Sequence, residues 1–91
     1  MARTDLSQLA DLAPLLDEIR TWPAIEERSP GTFYCRKRPF LHFHCNADRR
    51  RADVRTDDGW VEVDLDDPER DRLRQVLWVE HQSRVAPQVS Q

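Results

Sequence analysis

His42 and His44 stand at alternate positions in the run Phe40-Leu41-His42-Phe43-His44-Cys45. In an extended chain alternate side chains share a face, so the two imidazoles point one way and Cys45 the other. Neutral imidazole and carboxylate oxygens suit zinc or manganese. If the loop Asn46 to Arg51 and the turn at Asp57-Asp58 close their hairpins symmetrically, His44, Asp53 and Glu62 fall in one cross-strand row, with His42, Arg55 and Trp60 in the next. His44, Asp53 and Glu62 are therefore the candidate metal ligands. Three nearly collinear residues on neighbouring strands bite a single ion poorly, however, and structural zinc normally takes four ligands. An ordinary charge ladder on a sheet explains the same row, and the sequence assigns neither a metal nor a cofactor.

Histidine catalysis needs a nucleophile or a substrate acid within reach and a group that orients the ring. Asp53 could orient His44. No serine or threonine lies near the sheet face, and the two glycines, Gly31 and Gly59, sit at turns rather than in a phosphate-binding loop. No catalytic residue is assigned on these grounds. A metal-dependent or histidine-based enzyme acting on a small molecule stands as the alternative reading.

The elements that position these residues follow from periodicity. Asp11 can cap a helix in which Leu12, Leu15, Leu16, Ile19 and Trp22 recur at three-and-four spacing, with Pro14 tolerated in the first turn. Trp22-Pro23 ends it, because the residue before proline is pushed out of the α region. Ser29-Pro30-Gly31 reads as a turn. From Thr32 to Cys45 the period changes to two, giving two strands joined through Arg36-Lys37-Arg38-Pro39. A third strand covers about Ala52 to Arg55, and Trp60 to Leu65 alternates after the turn Thr56-Asp57-Asp58-Gly59. Asp67, Pro68 and Glu69 mark a capped helix start, with Leu73, Val76 and Leu77 on its inner face. Residues 86–91 have no period and should fray. The expected fold is α+β: a four-stranded antiparallel meander with an N-terminal and a C-terminal helix packed on one face, a single domain over 1–91 with its ordered core at about 11–85.

Strand alternation then sorts the side chains. Phe33, Cys35, Leu41, Phe43, Cys45, Val54, Val61, Val63 and Leu65 share the face covered by helices. The other face carries Tyr34, Arg36, Phe40, His42, His44, Asp53, Arg55, Trp60, Glu62 and Asp64, too aromatic for plain solvent and too charged for a core. Such a face suits a two-fold dimer or a protein partner, with Phe40 and Trp60 as anchors and Tyr34, His42, His44, Arg55 and Glu62 around them. A non-catalytic self-association or protein-interaction module is thus the first expectation. Its plainer counterpart is a monomer whose long side chains shield the rings. Trp78 and Val85 lie off the Leu73 stripe and are expected against the first helix.

Composition bounds the partners. Fourteen basic against 17 acidic residues give a net charge of −3, which by itself attracts neither nucleic acid nor an anionic membrane. Arg36-Lys37-Arg38 and Arg49-Arg50-Arg51 are basic, but the meander sets the first beside Asp57-Asp58 and the second beside Asp64, Asp66 and Asp67, leaving no uninterrupted basic face for nucleic acid. No stretch approaches the roughly 20 apolar residues of a membrane span, and the N-terminus lacks the apolar run of a signal peptide. Cys35 and Cys45, each inside an apolar run, read as buried free thiols. A cytoplasmic protein is expected.

Arg20-Thr21-Trp22-Pro23 after the first helix, Pro39-Phe40-Leu41-His42-Phe43-His44, Ala52-Asp53-Val54 and Asp58-Gly59-Trp60-Val61 before the last helix together resemble a group of small bacterial proteins of unknown function that carry the label of luciferase-family domain. The likeness implies the order helix, strands, helix. It carries no activity to transfer, and nothing in the sequence suggests a flavin or luciferin pocket.

Overall fold

The computed structural model describes residues 6–46, 49–66 and 68–85, apart from the side chain of Glu69. A 3-10 run, Leu6–Leu12, leads into helix α1 (Ala13–Arg20). Five strands follow: β1 (Ile25–Ser29), β2 (Thr32–Cys35), β3 (Arg38–Cys45), β4 (Arg50–Thr56) and β5 (Gly59–Asp64). A 3-10 turn at Pro68–Arg72 opens helix α2 (Leu73–Val85). The strands pair in chain order and every pair is antiparallel, so the sheet is a meander.

The α+β class agrees with the sequence, but the sheet has five strands rather than four. The extra one, β1, reads Ile-Glu-Glu-Arg-Ser, with a single apolar residue. An edge strand is held by backbone pairing along one side and need not alternate in hydrophobicity, so it left no period to read. The β2–β3 connection is also tighter than expected. Arg36 and Lys37 form the turn alone, both at positive φ (54° and 66°) as a two-residue hairpin requires, and Arg38 and Pro39 belong to β3.

One core fills the space between the helices and one face of the sheet. Leu9, Leu12, Leu16, Ile19 and Trp22 from the N-terminal segment meet Phe33, Cys35, Leu41, Phe43, Cys45, Ala52, Val54, Val63 and Leu65, with Leu73 and Leu77 from α2. Gly31 supplies the positive φ (78°) that the β1–β2 turn needs, while a Cβ there would meet Phe43 at 3.5 Å, an ordinary packing distance. Cys35 and Cys45 are free and buried. Trp78 packs edge-on against Trp22 at 5.1 Å, and Val85 joins the rim of the core.

Two side chains depart from the expected alternation. Phe40 was placed on the outer face with His42, yet it is fully buried. The β2–β3 register runs Phe33 to Leu41 and then Tyr34 to Pro39, so Phe40 is the extra residue of a bulge. A bulge re-aims the side chain it inserts; here the ring turns inward toward His81 and lies beneath the Arg84 guanidinium. Val61 shares the inner face as expected but remains 39% exposed near the turn end of edge strand β5.

Ion pairs tie the helices to the sheet. Asp11 does not cap α1: Leu12 precedes the helix without a side-chain cap, and the Asp11 carboxylate instead accepts from Arg50 and Arg70 at 2.8 Å. Arg50 also reaches Asp66 and the Gln8 carbonyl, and Arg74 pairs with Glu18. At the far end of α2, Arg84 donates to the carbonyls of Cys35, Arg38 and Arg55 while paired with Glu80. The expected cap at Asp67 and Glu69 and the frayed segment 86–91 lie outside the described residues. No helix among the described residues is long and apolar enough to cross a membrane.

Candidate functional site

The outer face of the sheet is organised around Asp53. This residue sits in β4, paired with His42 of β3 on one side and Glu62 of β5 on the other. Its neighbours along the strand, Ala52 and Val54, point into the core, which forces its carboxylate outward. It is nevertheless only 7% exposed, and three longer side chains converge on it. His44 Nε2 lies 3.1 Å from Asp53 Oδ2 and His42 Nε2 lies 3.4 Å from the same oxygen. Arg51 Nε approaches the other oxygen, Oδ1, at 3.4 Å and Glu62 Oε2 at 3.7 Å. The Trp60 ring, on β5, reaches across β4 and stacks on His42 at 4.8 Å and 6°, and Arg55 stands 5.6 Å from its centroid.

The register of β3 against β4 differs from the symmetric closure assumed in the sequence. Cys45 pairs with Arg50, and the Asn46 N–H donates to the Arg49 carbonyl at 2.7 Å, so the loop is two residues shorter than Asn46 to Arg51. The cross-strand rows become His42, Asp53, Glu62 and His44, Arg51, Asp64. A shift of two preserves the faces. It also changes the candidate ligand set. One donor atom each from His42, His44 and Asp53 lie within 4.8 Å of one another, whereas Glu62 pairs with Arg51. The set is no longer a collinear row: two ligands come from one strand and the third stands opposite His42 on its neighbour.

The electrostatics of this group are those of a crowded surface site. Burial pushes the His42 imidazole below its ordinary value, and neighbouring His44 and Arg51 act the same way, while Asp53 opposes them. His44 is the open member, 46% exposed at its side chain.

Of the other residues singled out in the sequence, Trp60, Glu62 and Arg55 lie on this face beside His42 and Asp53. Tyr34 is on the same face two strands from β4, where it is covered by Arg28, whose guanidinium carbon lies 3.9 Å above the ring. Phe40 belongs to the core. Arg51 was read only as part of a basic run, although extending the alternation back from Asp53 puts it on the outer face. The basic run Arg49 to Arg51 does meet acids, through Arg49 with Asp64 and Arg50 with Asp66. Among the described residues Arg36, Lys37 and Arg38 form no ion pair with Asp57 or Asp58.

His81 went unnoticed and is the third histidine. It is fully buried in α2, donates from Nε2 to the Pro23 carbonyl at 2.8 Å and accepts at Nδ1 from the Gln82 amide at 3.3 Å. Trp22, Trp78 and Phe40 surround its ring.

Compared with protein-family models, curated proteins and solved structures, the chain matches none of them.

Proposed function

We propose that this chain is a non-catalytic self-association module that pairs with a second copy of itself through the outer face of its sheet. The observation that carries the reading is Trp60. It is 46% exposed near the turn end of edge strand β5, on a face whose opposite side holds the core, and it stacks on His42. A fixed aromatic ring surrounded by charges is the usual composition of an interface anchor. Charge favours a second copy over an unrelated partner. The face holds Arg55 and Arg51 together with Glu62, so a two-fold axis near Trp60 can set an arginine of one copy against the glutamate of the other. Two buried free thiols suit a reducing, cytoplasmic setting.

Sedimentation of the untagged chain across a concentration series tests this. A dimer is expected at micromolar concentration, and Trp60→Ala should weaken it at least about tenfold, since an aromatic anchor contributes upward of ~1–2 kcal/mol. The variant should keep its fold by circular dichroism. A wild-type monomer throughout the series, or an equally tight Trp60→Ala dimer, would sink the reading.

The competing reading, a metal-dependent or histidine-based enzyme acting on a small molecule, draws support from the convergence of His42 and His44 on Asp53.

A further inference from the structure

His42 and His44 both direct Nε2 at a single atom, Asp53 Oδ2. One carboxylate oxygen can accept a hydrogen bond from each ring. Two imidazole nitrogens converging on a carboxylate oxygen are also the donor set that a borderline-soft cation takes.

Simple geometry makes the comparison quantitative. Zinc binds imidazole nitrogen and carboxylate oxygen at about 2.0–2.1 Å, and tetrahedral ligands at that radius stand about 3.3 Å from one another. The observed separations of 3.1 and 3.4 Å already match two edges of such a tetrahedron. The third edge, between the two imidazoles, is no longer than 4.8 Å, and shortening it to about 3.3 Å would fall to the open His44 ring.

Positioning supports the same conclusion. Arg51 engages Oδ1 of Asp53, not Oδ2, so the guanidinium orients the carboxylate and leaves one oxygen for a monodentate bond. The stacked Trp60 fixes the plane of His42. The carboxylate is buried at the base of the group while His44 is open, so an ion would enter from the solvent side and keep at least one position free of protein ligands.

We propose that His42, His44 and Asp53 form a three-ligand site for a late first-row divalent cation, zinc above all, on the outer face of the sheet. On binding, the cation occupies the space between the two Nε2 atoms and Oδ2. Neutral rings shift their proton to Nδ1, so the charge of the site rises by that of the ion alone. Imidazole donors select zinc, cobalt, nickel or copper over magnesium and calcium, which prefer oxygen. Cys35 and Cys45 face the core and take no part.

Binding is read on the untagged full chain by metal analysis after dialysis with Zn2+, by competition with a chromophoric chelator, and by the absorption of the Co2+ complex. One equivalent per chain is expected whatever the assembly state, so failure of the dimer would not touch this result. His44→Ala should weaken Zn2+ at least about tenfold, the minimum seen when even an outer partner of a site is lost. Asp53→Asn should do the same, and Mg2+ in excess should not compete. The Co2+ complex should show visible d–d bands without near-ultraviolet thiolate charge transfer. Because His44 is half exposed, its alanine variant keeps the fold and decides the matter even where the buried Asp53 variant does not. Undiminished Zn2+ binding by His44→Ala, no bound zinc in the wild type, or a thiolate band would each overturn the proposal.

Discussion

His81 and the His42–His44 pair keep similar company, aromatic rings and a strongly polar neighbour, and differ in how their nitrogens are used. His81 has a partner for each ring nitrogen, the Pro23 carbonyl and the Gln82 amide, inside a cage of Trp22, Trp78 and Phe40. His42 and His44 instead share one oxygen of Asp53. Complete pairing in a closed cage makes a brace between α2 and the segment that follows α1. Shared pairing on an open face leaves a group whose hydrogen-bond demand a ligand can satisfy. Composition alone does not separate a structural histidine from a binding one; the count of partners per nitrogen does.

The largest effect should come from the cage. Phe40→Ala removes a fully buried ring from beside His81 and Arg84, and a loss of about 3–5 kcal/mol is expected for a phenylalanine truncated in a core. Urea unfolding followed by tryptophan fluorescence measures it. A loss below about 1 kcal/mol would mean that the bulge relaxes and lets position 40 face outward, restoring the plain alternation of β3.

Next in size is His81→Ala against His44→Ala. The first empties a packed site and strands the Pro23 carbonyl, for an expected cost of about 2–3 kcal/mol, with Zn2+ stoichiometry unchanged. The second should cost less than about 1 kcal/mol while abolishing most Zn2+ affinity. Reversal of the two outcomes would erase the distinction between brace and site.

The sequence made much of this comparison legible, and its omissions have physical causes. Period-two alternation placed His42, His44, Asp53, Trp60 and Glu62 on one face because faces depend only on parity. Register depends on loop closure, and the two-residue offset between β3 and β4 was hidden in the loop after Cys45. The offset changed the ligand set from His44, Asp53 and Glu62 to His42, His44 and Asp53. His81 was readable as the continuation of Leu73 and Leu77 at a spacing of four, and was passed over because a buried polar residue breaks a stripe drawn from apolar residues alone. Phe40 was not readable, since a bulge breaks parity across the residue it inserts: Pro39, paired with Tyr34, and Leu41, paired with Phe33, fall on opposite faces. Nor was β1, whose residues hold an edge by backbone pairing.

The smallest expected effect lies at the opposite end of the sheet from the cage, where Arg50 joins Asp11 and Asp66. Hydrogen bonds from Arg50 hold both carboxyls below their ordinary 3.8 and raise the guanidinium in return. A carboxylate depressed in the folded state contributes stability above its unfolded value and loses it as pH falls through the folded one. Both acids are largely exposed, at 40% and 49% of their side chains, so solvent screens the pair and the contribution is small. Between about pH 5 and pH 3 the urea midpoint of the wild type should therefore fall more steeply than that of Arg50→Gln. Glu18 and Glu27, each depressed by its own arginine, bend both curves alike and cancel from the difference. Parallel curves would show that Arg50 serves geometry rather than charge, holding the Gln8 carbonyl and the N-terminal run against β4 in the same way whether or not the acids are ionised.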